Sequence, residues 1–190
     1  MGYVDNVKSV LIHPSEFFSK MPVTGGYAEP AKFAAINLAI GGLLSGIVSF
    51  LGLAAALSLF GLKGVGAGVD SIPISVVASI VGGLVGLFLG SGVIQVVMGF
   101  LGGKGTYEGT VRVFGSTSAT QLLTWIPLVG ILAGLYGIYL NVVGLAQVHG
   151  VSKLKAFAGL VIPIVVLIIL ATVFFAATFA SVLGGLAATG

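Results

Sequence analysis

Residues 111–147 read VRVFGSTSATQLLTWIPLVGILAGLYGIYLNVVGLAQ, 37 residues with one charge, Arg112, and one proline, Pro127. A helix that crosses a bilayer needs about 20 mostly apolar residues, because the hydrocarbon core is about 30 Å thick and the helix rises about 1.5 Å per residue. Two crossings and a turn need about 40 residues, slightly more than this stretch supplies. It is therefore two crossings that begin early, one bent crossing, or a re-entrant segment. Starting a helix at Tyr107 resolves the shortfall, with Thr106 as N-cap and Arg112 snorkelling to the interface. One crossing then covers 107–126, Pro127 lies in or beside the turn, and the next covers 128–146.

The flanking sequence supplies clearer crossings. Residues 33–60 and 72–101 contain no charge, and 156–186 is unbroken apart from Pro163, which is placed to kink it. Positive charge chooses between the middle solutions, since cytoplasmic loops retain Lys and Arg. With five crossings and the N-terminus inside, Lys8, Lys20, Lys32, Lys104, Arg112, Lys153 and Lys155 are cytoplasmic and only Lys63 is outside, seven against one. Merging the two middle crossings moves Lys153 and Lys155 outside, leaving five against three. The expected architecture is an all-α integral membrane protein with five transmembrane helices, N-terminus cytoplasmic and C-terminus outside.

Composition agrees with that class. Of 190 residues, 57% are apolar, 7% are charged and 31 are glycine; mean hydropathy is +1.21. Soluble domains are about 25% charged, so a soluble enzyme, a nucleic-acid-binding module and a disordered linker are excluded. The net charge of +3 records orientation in the membrane more simply than an acidic partner. No cysteine is present, which removes disulfides, thiolate nucleophiles and Cys-based metal sites. No secretory signal peptide is expected, because residues 1–31 are charged and lack a short apolar run before a cleavage site. That segment reads as interfacial. Val4, Val7 and Leu11 recur at helical spacing, and after His13-Pro14 come Glu16, Phe17, Phe18 and Met21. Such a piece lies along the headgroups with Phe17 and Phe18 dipping in, or packs on the cytoplasmic end of the bundle. The transmembrane domain proper then covers 32–190.

Helices in lipid associate through close backbone approach and interhelical hydrogen bonds. Gly42 and Gly46, then Gly82, Gly86 and Gly90, then Gly130 and Gly134 supply small-residue faces for packing within the bundle, or alternatively a homo-oligomer seam. Asn37, Gln95 and Asn141 fall in the cytoplasmic thirds of their helices, with Ser116, Thr117, Ser118, Thr120 and Gln121 on the same half. An unpaired amide in hydrocarbon costs several kcal/mol, so these groups meet one another as interhelical glue or line a cytoplasm-facing polar cavity.

Little points to catalysis. No charge lies deep in a crossing, against proton relays and voltage sensors, and only five acids occur. Residues 99–106 have a P-loop look, but Met98 stands where its first glycine belongs and Gly105 follows Lys104 where Ser or Thr is required. Gly61, Gly64, Gly66 and Gly68 follow no strand and form an outer loop with Lys63 and Asp70. His13 and His149 are best read as surface polar residues; no cofactor or metal is expected.

The run Gly102-Gly103-Lys104-Gly105-Thr106-Tyr107-Glu108-Gly109-Thr110-Val111-Arg112-Val113 is followed by Ile126-Pro127-Leu128-Val129-Gly130, by Leu135-Tyr136-Gly137-Ile138-Tyr139-Leu140, and by Val148-His149-Gly150-Val151-Ser152. With His13-Pro14-Ser15-Glu16-Phe17-Phe18, this order and spacing resembles the Yip domain family of Ypt/Rab-interacting membrane proteins, in its archaeal or bacterial form. The resemblance implies five crossings and a cytoplasmic N-terminus. In eukaryotes it implies vesicle traffic, contact with Rab-type GTPases and membrane shaping, none of which transfers to particular residues here. Ser116 to Thr120 lacks the Tyr or Pro that many relatives place there.

The expected function is a non-enzymatic scaffold or adaptor, set in the cytoplasmic membrane or, in a eukaryote, an endomembrane. Its partners are the bilayer and a cytoplasmic or membrane protein of unknown identity that docks on the N-terminal segment, the Gly102 to Arg112 loop and the Val148 to Lys155 loop, with Lys104, Tyr107, Glu108, Arg112 and His149 as contact residues; nucleic acid is not one of them. The alternative is a small transporter, channel or lipid-handling protein that uses a cavity lined by Asn37, Gln95, Ser116, Ser118, Gln121 and Asn141.

Overall fold

The computed structural model describes residues 2–59, 71–126 and 128–188. Lys63, Asp70, the loop glycines Gly61, Gly64, Gly66 and Gly68, and Pro127 lie outside the described residues. Among the described residues the chain is all-helical: α1 (Tyr3–Ile12), α2 (Pro14–Lys20), α3 (Ala28–Leu59), α4 (Ser71–Phe100), α5 (Tyr107–Thr117), a 3₁₀ helix (Ser118–Leu122), α6 (Val129–His149) and α7 (Lys153–Ala188). Four stretches are long and apolar enough to cross a membrane: Ala28–Gly52, Ile72–Phe100, Val129–His149 and Lys153–Ala176. The expected 33–60, 72–101, 128–146 and 156–186 each fall on one of these helices. Pro163 sits inside α7, which continues through it.

The segment expected to cross over 107–126 is not one regular helix. Thr106 caps α5 as anticipated, its Oγ1 accepting from Gly109 N at 3.1 Å. After Thr117 the winding tightens, for a local chemical reason. Thr117 Oγ1 donates to Phe114 O (3.1 Å), Ser118 Oγ to Gly115 O (2.6 Å) and Thr120 Oγ1 to Thr117 O (2.9 Å). A run of hydroxyls bonding three residues back competes with the α-helical ladder and favours the i→i+3 pattern. α5 and the 3₁₀ helix run antiparallel to α6 along its length. Thr110 meets His149, Thr117 meets Asn141 and Thr120 lies against Gly137. Irregular backbone at membrane depth is tolerated where protein covers it, and Val111, Val113, Thr117, Ala119 and Thr120 are all buried.

The N-terminal segment is a helical hairpin packed against the bundle, the second of the two expected arrangements, and Phe18 is buried in protein where the first had it dipping into headgroups. Val10 and Phe18 are core residues beside Val113, Leu140 and Leu145, with Phe17 packed against them. Phe18 fits because residue 144 is glycine: a Cβ there would stand 3.0 Å from the Phe18 ring and 2.6 Å from Val113 Cγ1. Tyr3 Oη donates to Asn37 Oδ1 (2.6 Å) and Tyr136 Oη to Leu11 O (2.7 Å), anchoring both ends of α1. Burial pushes the Tyr3 phenol above its ordinary pKa, keeping it the neutral donor.

The small-residue faces divide. Gly42 and Gly46 on α3 lie against Ser79, Ser75 and Ile72 of α4, and Gly130 lies against the Thr124 carbonyl. A Cβ on Gly82, Gly86, Gly90 or Gly134 would meet no other described residue within 4 Å, so among the described residues these four make no close helix–helix approach. The glycine that α4 uses is Gly83, under Leu38. It stands one residue, about 100°, around the helix from Gly82, in line with buried Leu87, Ser91, Ile94 and Met98.

Candidate functional site

Chemically distinctive groups gather at the end of the bundle formed by the α4–α5 loop, the α6–α7 loop and the N-terminus of α3. α6 stops at Gly150, whose φ of 64° is the left-handed conformation that ends helices; Val151 N then bonds Ala146 O (3.1 Å). The neighbouring loop is stitched alongside. Gly103 N bonds Met98 O (2.8 Å) and Lys104 N bonds His149 O (3.0 Å). Gly103 and Gly105 flank the His149 ring so closely that a Cβ on either would stand within 2.9 Å of Nδ1. The loop glycines are thus a sleeve for a histidine and not a phosphate cradle.

A polar network lies beneath. Gln95 Nε2 donates to Gly105 O (2.8 Å), and Thr110 Oγ1 donates to Gln95 Oε1 (2.7 Å). The Thr110 hydroxyl has one proton, so its 2.9 Å bond to His149 Nε2 is donated by the imidazole. His149 is accordingly the Nε2–H tautomer. Its Nδ1 is buried with no hydrogen-bond partner among the described residues.

Arg112 is only 5% exposed, where the sequence suggested a snorkelling residue. Its Nε donates to Glu108 Oε1 (3.2 Å) and its Nη2 to Gly26 O (2.9 Å); Nη1 stands 3.7 Å from Glu29 Oε2. Glu108 Oε1 also accepts from Gly26 N (2.6 Å). One ion pair therefore clasps the linker between α2 and α3 through both polar groups of Gly26, whose φ of 87° suits glycine.

Of the five residues expected to meet a partner, Lys104 is exposed. Tyr107 is tied to Phe88 O (2.9 Å), Glu108 and Arg112 form the clasp, and His149 lies inside. These four hold this end together and offer a partner little surface. Thr106, Ser152, Lys153, Leu154 and Lys155, which lie in the two loops the sequence pointed to, are exposed like Lys104.

Nor are the six polar residues gathered around one cavity. Asn37 Nδ2 donates to Ser118 Oγ (2.9 Å) and Asn141 Oδ1 accepts from Thr117 (2.9 Å), while Gln95 is engaged as above. Gln121 lines a separate cavity of about 180 Å³ between α3, α4 and the 3₁₀ helix. Ser116 lines a larger one, about 460 Å³, beneath the N-terminal hairpin.

Compared with known proteins, residues 8–175 match the family model of the Yip1 domain. No curated protein and no solved structure matches the chain.

Proposed function

The chain belongs to the Yip1 domain family, and from that premise we propose that this multi-pass membrane protein is a non-enzymatic scaffold or adaptor. The observation that carries the reading is the stitching of the α4–α5 loop to the α6–α7 end by hydrogen bonds and close packing. Backbone bonds and the His149 sleeve fix them together, so Lys104, Lys153 and Leu154 are presented from a surface that needs no ordering when a partner binds. Pre-organisation lowers the entropic cost of association, and clustered lysines speed encounter with an acidic partner.

The same reading takes five traverses, N-terminus cytoplasmic and C-terminus outside, in the cytoplasmic or an equivalent membrane. α5 and the 3₁₀ helix form the third traverse, about 26 Å long at 1.5 and 2.0 Å per residue. Seven of the eight basic residues then share the inner side, as the positive-inside rule requires.

Because the chain has no cysteine, a single photo-crosslinker at exposed Thr106 tests docking in native membranes. A recurrent protein adduct that disappears in Lys104→Glu/Lys153→Glu, in a protein that still folds, supports the scaffold. Adducts confined to lipid, or an adduct indifferent to the charge reversal, contradict it.

A further inference from the structure

We propose that the cavity between the N-terminal hairpin and the α3–α5 corner binds the phosphodiester headgroup of a phospholipid. This inference rests on the membrane setting of the chain and is independent of protein docking. The cavity holds about 460 Å³, within the range of about 300–1,000 Å³ usual for small-molecule sites. Its wall carries hydrogen-bonding side chains with few protein partners among the described residues. Arg112 lines it, nine-tenths buried, with Nε and Nη2 hydrogen-bonded and Nη1 3.7 Å from the Glu29 carboxylate, an ion pair beyond hydrogen-bond reach. Ser116, one helical turn further, donates only to Met21 Sδ at 3.7 Å. Across the cavity Asn6 and Ser9, three residues apart on one face of α1, line the wall, and their side chains make no hydrogen bond to another described residue.

Such a set asks for an oxyanion, and guanidinium with hydroxyls is the usual answer to phosphate. Of the two carboxylates at the rim, Glu16 is held by Lys20 at 2.7 Å, which keeps it below the usual carboxylate range. Glu29 is 82% exposed and pairs with Arg112 only at 3.7 Å. His13 completes the polar rim. The remaining wall is Phe17, Met21, Pro22, Pro30 and Phe33, apolar surface that free phosphate has no use for and a glycerol backbone covers. Next to His13 at the rim, Ile12 is 64% exposed, an apolar group suited to an acyl chain.

The test is a titration of the purified full chain in neutral detergent with phosphatidylglycerol, read by native mass spectrometry. Ser9→Phe fills the cavity without removing a side-chain bond, and Arg112→Gln removes the cation. The expected result is a single retained lipid whose affinity falls at least about tenfold in each variant, about 1.4 kcal/mol, while Ser9→Phe keeps its unfolding midpoint. Excess inorganic phosphate and dioleoylglycerol both fail to displace the lipid. Unaltered affinity in folded Ser9→Phe overturns the proposal; should that variant not fold, Ser116→Leu is read in the same way. Displacement by inorganic phosphate marks a free-anion site, and displacement by dioleoylglycerol marks mere tail binding; either overturns it.

Discussion

Thr110 Oγ1 lies 2.9 Å from His149 Nε2 and 2.7 Å from Gln95 Oε1, so one hydroxyl ties the first turn of α5 to the ends of α4 and α6. Thr110→Val keeps the shape and leaves two polar atoms without their partner. The expected loss is about 1–3 kcal/mol of stability, read from unfolding in detergent, with Thr110→Ser close to wild type. Equal behaviour of the Val and Ser variants contradicts the network.

Glycines that share a spacing differ in their surroundings, and substitution separates them. Gly144→Ala drives a methyl into Val113 and Phe18; overpacking of this kind costs about 1–3 kcal/mol and loosens the N-terminal hairpin, seen as new protease sensitivity before residue 28. Gly86→Ala adds a methyl in open space, and stability holds or rises by up to about 1 kcal/mol. A destabilised Gly86→Ala points to an intermolecular contact on that face of α4, which cross-linking then checks.

Asn37→Leu and Asn141→Leu distinguish glue from conduit. Each removes interhelical bonds, to Tyr3 and Ser118 or to Thr117, each worth about 0.6 kcal/mol on average in a membrane. The expected outcome is a modest drop in unfolding temperature and no change in solute permeability of proteoliposomes. Wild-type flux that Asn141→Leu abolishes restores the transporter reading.

Much of the architecture was legible because the bilayer demands long apolar runs, and α3, α4, α6 and α7 are such runs. The Thr106 cap was legible for a local reason, a side chain meeting the backbone three residues on. Where the sequence misled, the missing information was non-local. Gly82 and Gly83 are neighbours, and only the position of Leu38 on α3 decides which one packs. The amphipathic pattern around Phe18 suits a lipid surface and a protein groove equally; Gly144, 126 residues away, makes the groove. Arg112 reads as a snorkelling end residue because nothing near it announces the Gly26 carbonyl that takes its Nη2. The 3₁₀ helix had a visible signal in the hydroxyl run 116–120 that periodicity does not capture.

In the proposed topology the lysines gather on one side and α5 with the 3₁₀ helix makes a full traverse. Single cysteines at exposed Thr106 and at Leu128, 77% exposed in the α5–α6 turn, are labelled in intact cells or oriented vesicles with a membrane-impermeant maleimide. The account predicts that Leu128→Cys labels from outside only and Thr106→Cys from inside only. Labelling of Leu128→Cys from neither side until detergent is added makes the α5–α6 unit a re-entrant hairpin and contradicts the five-traverse reading.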